Sequence, residues 1–88
     1  MIVKTRKRFI SDLAKIKSIE LLEEADYLIE QAEKCSKPDE IPGFKWMTGY
    51  ANCARIKAGD YRMGVEITGN TIIFKCFLHR SYVYEQFP

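Results

Sequence analysis

No stretch of this sequence approaches the roughly 18 consecutive apolar residues that a membrane-spanning helix needs. The opening Met-Ile-Val-Lys-Thr-Arg-Lys-Arg is also not followed by the apolar segment of a signal peptide. A cytoplasmic protein with no membrane role is expected. Cysteine is sparse: Cys35, Cys53 and Cys76 are an odd number at spacings that match no zinc or redox motif, and they read as reduced, packed, small apolar residues. No metal site and no small-molecule cofactor enters the reading. Repeats, low-complexity tracts and linkers are missing too, and 88 residues leave room for a single core, so residues 1–88 are expected to form one domain. Charge of one sign is not in large excess. The net value of +2 is too small to mark a nucleic-acid binder by itself.

What the chain does have is the balance of a folded globule, 47% hydrophobic and 30% charged, which argues against disorder. The charge is unevenly placed. Residues 1–43 carry eight Lys/Arg against nine Asp/Glu, whereas residues 44–88 carry six against three, so the basic excess lies in the second half.

Periodicity orders the elements. Met1 to Lys4 suits a short strand, after which Phe9, Leu13 and Ile16 recur at helical spacing. Ser18 can cap a second helix whose apolar stripe is Ile19, Leu22, Ala25, Ile29, Ala32 and Cys35. Lys37-Pro38 ends it, because proline cannot continue the hydrogen-bond ladder. A loop through Pro42 and Gly43 and on to Gly49 leads to three strand-like runs, near Ala51 to Ala58, Tyr61 to Thr68 and Thr71 to Leu78. Gly59-Asp60 and Gly69-Asn70 between them are two-residue, glycine-first loops, the chemistry of tight hairpins. The predicted fold is α+β in the order β-α-α-β-β-β, two N-terminal helices packed on a twisted antiparallel sheet.

Two tight loops fix a register. It predicts pairs Ile56 with Met63, Ala58 with Tyr61, Ile67 with Ile72, Val65 with Phe74, Met63 with Cys76 and Tyr61 with Leu78, an apolar side for the helices to cover. Alternation then gathers Arg55, Lys57, Arg62, Lys75 and, at the strand end, His79 on the other side. Lys57 lies across from Arg62, and like charges so placed repel. A structural sheet gains nothing from this, so an anionic ligand is the better explanation, although lysine and arginine are also common on solvated sheet faces. Glu66 and Asp60 share the neighbourhood and can neutralise part of the field.

Arg55-Ile56-Lys57-Ala58-Gly59-Asp60-Tyr61-Arg62, followed by Phe77-Leu78-His79-Arg80-Ser81-Tyr82-Val83-Tyr84 ahead of Phe87-Pro88, resembles the RelE branch of the RelE/ParE toxin superfamily, over the whole chain in order of elements. The resemblance implies a toxin of a type II toxin–antitoxin system that cuts messenger RNA on the ribosome without a metal. By motif, Arg62 corresponds to the arginine that stabilises the transition state, and Arg55 and Lys57 to the basic pair on the preceding strand. Arg80 and Tyr84 match the arginine and tyrosine of the C-terminal segment. Leu78 departs from the pattern, standing near a position that is basic in some relatives, and His79 is there the residue type suited to move a proton near neutral pH. Lys4, Arg6, Lys7 and Arg8 are candidates to hold ribosomal RNA phosphates, and Tyr82 and Phe87 to stack on bases. The implied partners are a cognate antitoxin, the ribosome and its message. Two other readings keep the fold: a ParE-like gyrase poison acting by protein contact, and a non-catalytic domain that binds RNA or antitoxin.

Overall fold

The computed structural model describes all residues, Met1–Pro88. In chain order they form strand β1 (Ile2–Thr5), helices α1 (Lys7–Ala14) and α2 (Ile19–Lys34), a 3₁₀ turn at Pro38–Glu40, strands β2 (Phe44–Trp46), β3 (Cys53–Ala58), β4 (Tyr61–Thr68) and β5 (Thr71–His79), and a short helix α3 (Val83–Gln86). The strands make one sheet in the order β1-β5-β4-β3-β2. This is the predicted α+β class with two additions, β2 and α3. The sheet is also mixed where an antiparallel one was predicted, since β1 runs parallel to β5, its Val3 beside Ile72. No helix is long and apolar enough to cross a membrane.

Local chemistry sets the helices. The Ser18 hydroxyl accepts the Leu21 N–H at 3.2 Å, which satisfies one of the free donors at the start of α2. Glu20 in its first turn and Lys34 in its last complement the helix dipole. The stripe that reaches the sheet is Ala25, Leu28 and Ala32, flanked by Leu21 and Ile29. Ile19 was predicted on that stripe and is instead 71% exposed, because the helix is rotated to centre Leu28 on the core. Phe9 of α1 is fully buried; its ring meets Phe74 at 5.2 Å and the edge of Phe77 at 6.4 Å.

Both hairpins form at the predicted loops. Gly59 and Gly69 have φ of +58° and +59°, and the residue after each has none of that strain, the φ signature of a type II′ turn. The pairs Ile56 with Met63, Lys57 with Arg62 and Ala58 with Tyr61 are as predicted, and so are Ile67 with Ile72 and Val65 with Phe74. Beyond that point the register differs. Gly64 faces Cys76 while the adjacent Val65 faces Phe74, so Lys75 is an extra residue in β5, a β-bulge. Met63 therefore pairs with Phe77, and Tyr61 with His79, in place of Cys76 and Leu78. One inserted residue exchanges the faces of everything after it. Phe77 turns inward onto Phe9, and its N–H donates to the buried Asp12 carboxylate of α1 at 2.9 Å, which keeps this backbone donor satisfied.

The face away from the helices is not simply solvated. Met47, Cys53, Cys76, Val83 and Phe87 form a second small core there, where α3 folds back over the sheet. Gly64 permits this approach: a Cβ would lie 2.6 Å from Cys76 Sγ and 2.8 Å from the Phe87 ring, closer than real Cβ atoms come.

Candidate nucleic-acid interface

Three neighbouring strands place four cations together. Lys45 of β2 faces Arg55 of β3, and Lys57 of β3 faces Arg62 of β4. Gly43, at φ +79°, accepts the Lys57 N–H through its carbonyl at 3.1 Å, and its missing side chain lets the backbones come that close. These five residues line a shallow groove of about 180 Å³ with no apolar side chain in it.

The groove's charge is uncompensated. The salt bridges of the chain are Arg8 with Asp12, Lys34 with Glu30 and Lys75 with Glu66, and none involves Lys45, Arg55, Lys57 or Arg62. Glu66, predicted to share the field, pairs at 4.0 Å with Lys75, while Asp60 contributes only its backbone carbonyl, accepting the Arg80 N–H at 2.8 Å.

Two of the cations are oriented by neighbours. Arg62 Nη1 donates to the carbonyls of Gly59 and Tyr61 at 3.0 and 2.9 Å, so the hairpin turn itself fixes the guanidinium. Its Nε and Nη2 fork stays free, and that edge matches two oxygens of a phosphate. The Arg55 guanidinium carbon lies 4.9 Å from the centre of the Tyr84 ring, within the range of a cation–π contact. Lys45 and Arg55 also wall an adjoining cavity of about 290 Å³ that takes in Trp46, Tyr50 and Tyr84. Cations beside exposed aromatic rings are the ordinary apparatus for single-stranded nucleic acid, the charges tracking phosphates and the rings meeting bases.

Toxin RelE3 of Methanocaldococcus jannaschii is 34% identical to this chain over 83 residues, 93% of each. The chain belongs to the RelE toxin family. The toxin in the RelB–RelE antitoxin–toxin complex from Methanococcus jannaschii superposes on this RelE-family chain with a TM-score of 0.82 at 32% identity, covering 97% of this chain and 99% of that one. A variant of YafQ from E. coli superposes with a TM-score of 0.72 over 93% of this chain and 96% of its own, at 10% identity, a likeness of fold alone. No protein-family model matches the sequence.

For a RelE-family chain, the structure brings together only part of the set predicted from sequence. Arg55, Lys57 and Arg62 share the groove, and Tyr84 joins them through Arg55. Lys75 does not: the bulge and the folded-back α3 place it in a separate cavity at the other end of the open face, with Arg6, Arg8 and Glu66. Arg8 there binds the Gln86 side chain and Asp12. Lys4 and Lys7 are exposed and line neither cavity of the groove.

His79 was predicted on the basic face and lies on the opposite one, paired with Tyr61, because the bulge reverses the parity of β5. Its ring meets Tyr61 edge-on at 5.5 Å and Tyr82 at 6.3 Å, and all three line a cavity beside α1. His79 Nδ1 lies 3.0 Å from the Ser81 hydroxyl and 3.2 Å from the Ser81 backbone nitrogen, so the turn after β5 holds the ring in place. Leu78 is the residue across from Arg62 on the open side. Arg80 is exposed beside the Gly59-Asp60 turn, outside the groove, and Phe87 is buried in the second core. Lys45, Trp46 and Tyr50 are the interface residues that sequence reasoning missed. The signal for Lys45 and Trp46 was the short run Phe44-Lys45-Trp46, which alternates as a strand but is too brief to stand out beside Pro42-Gly43; Tyr50 lies in the loop beyond it, with no pattern to mark it.

Proposed function

We propose that this RelE-family chain is the toxin of a toxin–antitoxin pair and that it cuts messenger RNA on the ribosome without a metal. The observation that carries the reading is the groove of Lys45, Arg55, Lys57 and Arg62, which holds four cations and no carboxylate. Attack by a ribose 2′-hydroxyl oxygen on the adjacent phosphorus forms a cyclic phosphate, breaks the bond to the 5′-oxygen and moves one proton from the attacking oxygen to the leaving one. Negative charge grows on the phosphoryl oxygens meanwhile. Donors already in place stabilise that charge without reorganising, and such a donor is commonly worth about 10²- to 10³-fold in rate. Arg62, pinned by two backbone carbonyls, is the donor assigned to those oxygens. Lys45, Arg55 and Lys57 supply the surrounding field and hold flanking phosphates.

The antitoxin proposal draws on relatives: the RelB–RelE structure from Methanococcus jannaschii and the DinJ–YafQ structure from E. coli are both antitoxin–toxin complexes. An acidic segment of such a partner suits the uncompensated groove and would compete with RNA for it.

The test is primer-extension mapping of a defined message in a purified translation system, with and without ribosomes. Cuts that require ribosomes are expected. Intact message, with gyrase arrested in a parallel supercoiling assay, would replace this reading with the gyrase one.

A further inference from the structure

We infer that Arg8 and Gln86 are positioning residues, a clamp between α1 and α3 that sets the angle of α3 on the sheet and so keeps Tyr84 against Arg55; its effect on message cleavage rests on the nuclease reading.

Helix α3 is four residues long, Val83–Gln86, a single turn. Helices shorter than about 12 residues have little stability of their own, so its placement comes from what it touches. Val83 and Phe87 are both buried in the second core, and the Phe87 N–H donates to the Val83 carbonyl at 2.9 Å. This seam fixes how deep the helix sits. A single apolar seam still leaves a short helix free to roll about it.

Two contacts oppose the roll. Tyr84 and Gln86 stand two residues apart, about 200° around the axis, and so project from opposite flanks of the seam. On one flank the Tyr84 ring lies 4.9 Å from the Arg55 guanidinium carbon. On the other, Gln86 Oε1 accepts a hydrogen bond from Arg8 Nη2. A roll that breaks one contact also moves the other.

Arg8 is itself held. Its Nε faces Asp12 Oδ2 at 3.5 Å, and the same buried oxygen accepts the Phe77 N–H at 2.9 Å. Contacts therefore run from the backbone of β5 through Asp12 and Arg8 to Gln86, and across α3 to Tyr84 and Arg55. In Arg62 the Nε and Nη2 edge is free, whereas in Arg8 both of those nitrogens already face protein oxygens. The edge that grips phosphate is thus committed within the fold. Lysine could not take over, because a single nitrogen does not present two donors in a fixed fork.

The experiment combines single-turnover cleavage of ribosome-bound message with the proton NMR shift of the Arg55 δ-methylene, which the Tyr84 ring current moves while the two stay in contact. Gln86→Ala is expected to slow cleavage about three- to tenfold through misplacement of the ring, and to return the Arg55 shift toward its value in Tyr84→Leu. Arg8→Lys should do the same. Gln86→Glu keeps an acceptor for the guanidinium and should restore both readouts. In a Tyr84→Leu background Gln86→Ala should cost nothing further, because the two substitutions act through one contact. A role in stability alone would lower the urea midpoint and leave the Arg55 shift of the folded protein where it was. That result, or full additivity of Gln86→Ala with Tyr84→Leu, would overturn the proposal. A parent protein that cuts no message while its Arg55 shift responds to Gln86→Ala would sink the nuclease reading and leave the clamp standing. Cleavage with an unresponsive shift would do the reverse.

Discussion

Arg55 and Tyr84 stand face to face, the guanidinium carbon 4.9 Å from the ring centre, although 29 positions separate them in the sequence. The contact joins the third strand to the C-terminal helix. It brings the tail alongside the cationic groove, and it gives a cation that has no carboxylate partner an electron-rich surface to rest on.

Removing the ring tests this contact. Tyr84→Leu is expected to slow message cleavage by about tenfold or more, through loss of an exposed cation–π contact and of a stacking surface. Tyr84→Phe keeps the ring and should stay within about threefold of the parent. Equal losses in the two variants would assign the role to the hydroxyl instead.

Gly64 should not tolerate a methyl group. Gly64→Ala puts a Cβ 2.6 Å from Cys76 Sγ and 2.8 Å from the Phe87 ring, and overpacking of this kind costs about 1–3 kcal/mol, read as a lower urea midpoint. In a Phe87→Ala background the cost should shrink without vanishing, because Cys76 remains. Strict additivity of the two substitutions would show that Phe87 does not rest on Gly64 in solution.

Asp12 should matter through one backbone donor. Its carboxylate takes the Phe77 N–H at 2.9 Å in a buried setting, and leaving such a donor unpaired costs about 1–3 kcal/mol. Asp12→Ala is expected to lose that much stability and to speed hydrogen exchange at the Phe77 amide. Asp12→Asn, which keeps an acceptor oxygen, should recover most of both.

The cysteines predict a pH dependence of stability. Burial pushes the Cys76 thiol up, and burial does the same at Cys53, helped there by Glu66. An unfolded thiol ionises near pH 8.5, so above that point the native chain holds more protons than the unfolded one. The thiol contribution to stability is therefore constant below about pH 8 and falls as pH rises through the ordinary thiol range. Urea midpoints at about pH 7 and about pH 9.5 should show the decline, and Cys76→Ala should make it shallower. An unchanged slope in that variant would remove Cys76 as its source.

Glycine-first loops and alternating runs in the sequence were sufficient to place the two hairpins and the pairs nearest their turns, such as Lys57 with Arg62. Arg55, Lys57 and Arg62 were legible for the same reason. The bulge at Lys75 was not. Cys76, Phe77 and Leu78 are all apolar, so alternation cannot say which of them faces inward, and no glycine marks the irregularity in β5. What decides it is tertiary: Phe9 receives Phe77, and Asp12 receives its N–H. His79 and Lys75 were misplaced by that single residue. Lys45 escaped notice because a three-residue strand acquires its meaning only when β3 pairs with it.

The most direct test of the account is single-turnover cleavage of ribosome-bound message by the parent, Arg62→Lys and Arg62→Ala, with folding checked by circular dichroism. Arg62→Ala is expected to be slower by about 10²-fold or more, the usual loss for an oriented donor at a developing charge. Arg62→Lys should recover little, because a point charge lacks both the planar fork and the second edge that binds the Gly59 and Tyr61 carbonyls. A folded Arg62→Ala protein that cuts at the parental rate would contradict the central claim.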